Sequence, residues 1–177
     1  NIATPPNVQL FYYQWNVWFA IAFGVVSGIG QFMWWKIKGK KTVADAIFRP
    51  FLFAVISGVA VMAAVWFAEW EFAYDQEFAS YLDPENTGTS AFGKAMGYVK
   101  FGIMTVADEL LLFSALFGLF ANADVLTALL RKNRKGLKVM GGTVVHLGFA
   151  LMLLGILFSS GYDRVVSKNL RPADLAQ

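Results

Sequence analysis

The feature that most constrains this chain is the run Trp15–Trp35, which contains no charged side chain and has aromatic residues at both ends. Such a run has about the 20 residues that an α-helix needs to cross the hydrocarbon core of a bilayer. Aromatic rings at both ends are typical of anchoring at the two interfaces. Three further apolar stretches are long enough to span: Phe51–Phe67, Ala107–Leu130 and Val139–Tyr162. The pattern predicts an all-α integral membrane protein with four transmembrane helices.

The composition agrees with a membrane protein. Apolar residues make up 57% of the 177 residues, charged residues make up 15%, and the mean hydropathy is +0.51. A soluble domain has about 25% charged residues, and a fold of this size cannot bury so much apolar surface. These values exclude a soluble enzyme and a disordered chain. The absence of cysteine excludes disulfides, thiolate metal sites and covalently attached haem.

The charges between the spans predict the orientation of the helices. The first and third connectors hold ten basic residues: Lys36, Lys38, Lys40, Lys41, Arg49, Arg131, Lys132, Arg134, Lys135 and Lys138. Short basic connectors lie on the cytoplasmic side of membrane proteins. The charged residues of the second connector, residues 68–106, are mostly acidic. This connector is expected on the outer side of the membrane. Both chain ends are then expected outside as well.

The second connector is expected to contain an interfacial amphipathic helix that continues the second span and stops near Asp83-Pro84. Residues 92–106 form either another interfacial helix or the outer end of a long third helix. Pro50 is expected in the first turn of the second helix, which proline tolerates. The four spans occupy residues 1–162, and residues 163–177 are expected to begin an external domain that is truncated. The chain is therefore interpreted as a fragment.

Small residues recur at helical spacing in every span, and small residues let membrane helices approach closely. We expect such contacts at Gly24 and Gly28, Ala54 and Gly58, Ser114 and Gly118, and along Gly141, Gly148 and Gly155. In the fourth span, the glycine face is expected to meet another helix and Leu153 to meet lipid. A second hypothesis applies only there, because Gly142 and Gly148 could let a flat macrocycle lie against the backbone beside a ligand histidine.

Four ionisable residues lie within the predicted spans: Asp108, Glu109, His146 and Asp124, and no role is assigned to Asp124. Asp108 and Glu109 are either a proton-handling pair or, as we favour, interfacial carboxylates that stabilise the positive end of the helix dipole. His146, the single histidine, lies eight residues beyond Lys138, or about 12 Å along a helix. An ionisable group at that depth indicates function. It is either a metal ligand or a neutral imidazole hydrogen-bonded to a neighbouring helix.

The last third of the chain resembles the cytochrome c maturation protein F family. The matching residues are the basic run from Arg131, the helix from Gly141-Gly142 through His146-Leu-Gly148 to Gly155, and Ser159-Ser160 at its end. The hairpin Phe32-Met-Trp-Trp-Lys with Arg49-Pro50-Phe-Leu is also similar to that family. The family's Trp-rich external motif and its external histidines are absent from this chain.

The resemblance implies the membrane core of a bacterial haem lyase in the inner membrane. Its partners would be a periplasmic haem chaperone, a thiol-reducing protein and apocytochrome c. It also implies a non-covalent b-type haem between two histidines, with His146 as one axial ligand to the iron, Gly142 and Gly148 beside it, and the second histidine outside this chain. No residue of the chain is assigned to the transfer chemistry, so enzyme activity stays open.

Two other functions stay open. A haem- or quinone-binding membrane anchor of a respiratory complex would also place a histidine at this depth, although such anchors usually have histidines on more than one span. A purely structural four-helix scaffold would need no cofactor. Bound haem would favour either of the first two functions over the scaffold, and binding of apocytochrome c would favour the lyase.

Overall fold

A computed structural model describes residues 8–35, 43–68, 91–132 and 137–161. These residues form four α-helices and no strand: α1 Val8–Trp35, α2 Val43–Phe67, α3 Ala91–Lys132 and α4 Leu137–Gly161. The predicted all-helical class is therefore confirmed for the described ranges. The interfacial connector helix, the two basic connectors between residues 36–42 and 133–136, and the external tail lie outside them.

Three helices contain segments that are long and apolar enough to cross a membrane: Ala44–Phe67, Val106–Arg131 and Met140–Ser159. These segments have 24, 26 and 20 residues, which match the hydrocarbon thickness of about 30 Å. Together they make the chain compatible with a multi-pass membrane protein. The first helix, α1, has 28 residues and no charged side chain.

The long helix α3 is the centre of the bundle, because it packs against each of the other three helices. In its most apolar stretch 56% of the residues are buried, compared with 17% in the corresponding stretch of α2 and 22% in that of α4. Its buried side chains include adjacent residues, such as Leu111 with Leu112 and Leu116 with Phe117. Adjacent side chains point to different sides of a helix, so one continuous helix meets neighbours on several sides. The apolar ones are Ala107, Leu111, Leu112, Ala115, Leu116, Phe117, Ala121 and Val125.

Helices α1 and α3 run parallel and approach closely through small residues. A Cβ atom on Gly24 would lie 3.1 Å from the Ser114 carbonyl oxygen, and one on Gly118 would lie 3.2 Å from the Gly24 carbonyl oxygen. A Cβ atom on Gly28 would meet the Phe117 ring at 2.5 Å. Because no side chain separates the two backbones here, the expected small-residue contact between these helices is confirmed.

Helices α2 and α4 run antiparallel to that pair. On α2, Gly58 lies against Phe113, and the rings of Phe53 and Phe120 have centroids 5.8 Å apart. On α4, Phe149 contacts Phe23 of α1 with the ring centroids 6.3 Å apart. The four helices therefore alternate in direction along the chain. The beginning of α1, the end of α2, the beginning of α3 and the end of α4 lie at one end of the bundle.

The glycine face of α4 was expected to contact another helix, and this prediction is wrong for the described chain. A Cβ atom on Gly141, Gly148 or Gly155 would find no atom within 4 Å. The buried side of α4 instead consists of Met140, Thr143, Ala150, Leu153 and Leu157. The three glycines lie along one face of α4, as the seven-residue repeat indicates, but that face does not meet another described helix. The larger side chains on the other face pack against α3.

Several helix boundaries differ from the prediction. Helix α2 begins at Val43 and contains Pro50 in its interior, because a helix in a bundle tolerates the loss of the one hydrogen bond that proline cannot donate. For residues 92–106 the second of the two alternatives is confirmed, because they are the outer end of α3, which is continuous from Ala91. Asp108 and Glu109 therefore lie more than four turns inside the helix, so the proposed interaction with the helix dipole is wrong.

Candidate functional site

Among the described residues, two groups of polar side-chain contacts join α1 to α3 and α4. The first joins Ser27 of α1, Asn122 of α3 and His146 of α4, and we call these three residues the His146 cluster. The second joins Tyr13 of α1 to Asp108 of α3. Along each of α1 and α3 the two contacts are 14 residues apart, which is about 21 Å of helix. The matched separations agree with the parallel course of the two helices.

His146 is held by a hydroxyl group from another helix. Its Nδ1 atom lies 3.0 Å from the Ser27 Oγ atom, which is hydrogen-bonding distance. Ser27 is buried, whereas His146 keeps part of its surface accessible. The ring is therefore fixed on one side by Ser27 and reachable from outside the bundle on another.

Asn122 completes the cluster from the central helix. It is fully buried, and its Nδ2 atom donates to the Gly118 carbonyl oxygen at 2.7 Å. The carbonyl accepts only, so the amide nitrogen must face it, and this contact fixes the orientation of the amide group. The same nitrogen lies 3.4 Å from the Ser27 Oγ atom. The Asn122 Oδ1 atom has no hydrogen-bond partner among the described residues.

The cluster lies near the middle of the bundle. Ser27, Asn122 and His146 are eight to ten residues from the helix ends Trp35, Lys132 and Leu137, or about 12–15 Å along each helix. These three ends lie at the same end of the bundle. Ser27 and Asn122 therefore lie about as far from this end of the bundle as His146 does, and this distance agrees with the one expected for His146 from the sequence.

The structure brings only one of the two predicted glycines near His146. Successive residues of a helix differ by about 100°, so Gly142 lies about 40° from His146 around α4 and Gly148 lies about 200° away. Gly148 is therefore on nearly the opposite side of the helix from the histidine. Both glycines are exposed. Gly142 remains a candidate neighbour of a ligand bound at His146, whereas Gly148 is not brought together with it.

The Tyr13–Asp108 pair uses the carboxylate that the sequence singled out. The Tyr13 hydroxyl donates to the Asp108 Oδ1 atom, and Asp108 is buried. Glu109 follows Asp108 on the helix, so it points about 100° away, as expected for adjacent residues. The pair satisfies a carboxyl group inside an apolar bundle, where an unpaired one would be costly.

Sequence reasoning missed Ser27, Asn122 and Tyr13, which pair with the residues that it found. For Asn122 a signal existed, because an amide interrupts the apolar run of the third span. Ser27 and Tyr13 gave none, since serine is common among small packing residues and tyrosine is common at interfaces. Only the relative rotation of the helices reveals these contacts.

The chemistry of the His146 cluster is compatible with a single metal-binding imidazole. It offers one imidazole with a hydrogen-bond partner on its other nitrogen, the usual arrangement for a metal-binding histidine. The described residues contain no group of three or more His, Cys, Asp or Glu side chains that could hold a metal ion. A groove of about 180 Å³ between α2 and α3, lined by Arg49, Phe53, Phe120 and Asp124 among others, does not include His146.

Comparisons with known proteins identify no relative. No protein-family model matches the chain, and no curated protein and no solved structure matches it either.

Proposed function

We propose that this chain is part of a haem-handling membrane protein of cytochrome c assembly. In this proposal His146 is an axial ligand to a non-covalent b-type haem, and the second axial histidine comes from a segment outside this chain. The observation that supports the proposal most is the contact between the His146 Nδ1 atom and the Ser27 Oγ atom deep in an apolar bundle.

The chemistry of the contact favours metal binding. A hydrogen bond at Nδ1 leaves Nε2 as the nitrogen available to iron, and a partner at the other nitrogen holds the ring in place. Neutral imidazole is a common axial ligand of haem. Ligation also removes the cost of leaving a polar nitrogen unpaired in hydrocarbon. Since the chain has no cysteine, such a haem has no thioether bond to this chain.

A haem bound here would supply one-electron redox chemistry, and the protein residues would hold it. His146 would ligate the iron, Ser27 would orient the imidazole, and Gly142 would leave room on the same side of α4. The partial exposure of His146 supports a site completed by another segment of polypeptide. No residue of this chain is assigned to the attachment of haem to a cytochrome.

The surroundings of the site are part of the same proposal. Four membrane-spanning helices would lie in the bacterial inner membrane, with the two basic connectors in the cytoplasm and both ends of the chain outside. The partners would be a periplasmic haem chaperone, a thiol-reducing protein and apocytochrome c. The basic residues beside the ends of α1, α3 and α4 support this orientation.

The proposal is tested by replacing His146 with alanine in the complete protein. We expect normal membrane insertion, little haem that acidified organic solvent can extract, and failure of cytochrome c maturation. Val145→Ala is the matched control, because Val145 is the neighbouring residue and is 69% exposed. A wild-type haem spectrum from the His146→Ala protein would contradict the ligand assignment. Bound haem without binding of apocytochrome c would favour the respiratory anchor.

A further inference from the structure

The hydrogen bonds of the His146 cluster determine where the imidazole proton lies. The Ser27 hydroxyl has two partners among the described residues, the Asn122 Nδ2 atom and the His146 Nδ1 atom. The hydrogen bond to the Gly118 carbonyl fixes the orientation of the Asn122 amide, so its nitrogen is the atom that faces Ser27. An amide nitrogen can only donate. The hydroxyl oxygen therefore accepts from Asn122, and its own proton has one acceptor in reach, the Nδ1 atom of His146.

We propose that Ser27, oriented by Asn122, is a positioning residue that selects the tautomer of His146. In the protein without haem, the Ser27 hydroxyl donates to Nδ1, and the imidazole proton is on Nε2. The donation from Asn122 polarises the hydroxyl and strengthens its own hydrogen bond to the histidine. This part of the inference depends only on the contacts of the chain's own residues.

The loaded state, which rests on the proposed function, requires the other tautomer. With haem bound, the His146 Nε2 atom would offer its lone pair to the iron, so Nε2 would have lost its proton and Nδ1 would carry one. The exchange leaves the total number of protons unchanged. The Ser27 hydroxyl oxygen then accepts from Nδ1–H through its second lone pair, and the hydroxyl proton rotates away from the ring. A hydroxyl can take both roles, which an alanine or a carbonyl in its place cannot.

Three consequences follow for Ser27→Ala in the complete protein. The unloaded imidazole loses its preference for the Nε2–H tautomer, because nothing donates to Nδ1. The loaded protein binds haem about 10–100-fold more weakly, as is usual when the hydrogen-bond partner of a metal-binding histidine is removed. The midpoint potential of the haem rises, because an imidazole without an acceptor for Nδ1–H is a weaker donor to ferric iron. Ser27→Thr keeps the hydroxyl and is expected to keep the wild-type values.

The first test needs no haem. In the complete protein, labelled with 15N in the histidine rings and produced in haem-deficient cells, the two ring-nitrogen signals of His146 are assigned as those that are missing from the His146→Ala protein. We expect Nδ1 to be of the unprotonated type and Nε2 of the protonated type in the wild type. The reverse assignment in the wild type overturns the proposal without any variant, and so do identical ring shifts in the wild type and the Ser27→Ala protein.

Ser114→Ala is the matched control. It removes the same hydroxyl group from the same seam, but the Ser114 Oγ atom donates to the Leu111 carbonyl of its own helix at 3.0 Å. We expect this control to leave the ring signals, the haem affinity and the potential unchanged. Equal effects of Ser27→Ala and Ser114→Ala would show a general packing role and refute positioning.

A double-mutant cycle tests whether Asn122 acts through Ser27. Asn122→Leu should shift the ring signals in the wild-type background and leave them unchanged in the Ser27→Ala background. Independent shifts in both backgrounds would overturn the role given to Asn122. The proposed function fails separately, if the wild type binds no haem or if the His146→Ala protein retains it.

Discussion

Replacing Gly24 with alanine measures how closely α1 and α3 approach. The new Cβ atom would lie 3.0 Å from the Ser114 Oγ atom and 3.1 Å from both the carbonyl carbon and the carbonyl oxygen of that residue. Backbone atoms cannot rotate away as a side chain can. The two helices must therefore separate by a few tenths of an ångström, and the contacts along the whole seam weaken together.

Gly30 provides the matched control on the same helix, because a Cβ atom there would find no atom within 4 Å. Both replacements gain about 1 kcal/mol of helix propensity. Overpacking costs about 1–3 kcal/mol and applies to Gly24 alone. We therefore expect Gly30→Ala to raise the free energy of unfolding by about 1 kcal/mol. Gly24→Ala should be about 1–3 kcal/mol less stable than that control.

The assay is unfolding of the purified protein in mixed micelles with an increasing mole fraction of a denaturing detergent, followed by circular dichroism. A difference of 1–2 kcal/mol corresponds to about a 5–30-fold change in the ratio of folded to unfolded protein, which the midpoints resolve. Equal midpoints for Gly24→Ala and Gly30→Ala would refute the close approach of the two backbones.

Three further results are expected. Cysteines introduced singly as Lys40→Cys and Asp83→Cys should differ in labelling by an impermeant thiol reagent on intact cells: only the second should react, and the opposite pattern would refute the orientation. Leu153→Phe should lower the free energy of unfolding by about 1–3 kcal/mol, because Leu153 is buried. Gly148→Leu should change it little, because Gly148 borders open space; the reverse order in detergent unfolding would contradict the packing of α4. Tyr13→Phe should cost about 1–3 kcal/mol by leaving a buried carboxyl oxygen without its donor, and an unchanged unfolding midpoint would argue against that hydrogen bond.

The sequence predicted the helices themselves well, because each apolar run is a local property of the chain. It predicted their ends less well. Pro50 suggests the start of a helix, but the helix begins at Val43 because packing in a bundle tolerates proline. For residues 92–106 the sequence left open a separate interfacial helix or the outer end of the third helix, and the structure shows one helix that is continuous from Ala91. The apolar segment of α3 begins at Val106, where the proposed membrane begins, but the helix itself extends beyond it to Ala91.

The candidate site was partly predictable for a different reason. His146 is noticeable alone, since an ionisable group inside an apolar run is costly. Its partners Ser27 and Asn122 become meaningful only when three helices are placed at defined rotations. The same limit explains the error at Gly148, because a small-residue spacing identifies a face of a helix but not what lies opposite that face.

The continuity of α3 has a mechanical consequence. The helix is unbroken from Ala91 to Lys132, so it is a stiff rod of about 60 Å with no joint along its length. Asp108 and Asn122 are both residues of this helix, and each makes a hydrogen bond to α1 at a different position along it. A sideways push on the end at Ala91 is therefore not absorbed by bending in a loop. Instead the whole helix tilts. The Tyr13–Asp108 contact, which is nearer to Ala91, acts as the pivot, and the Ser27–Asn122 contact is displaced.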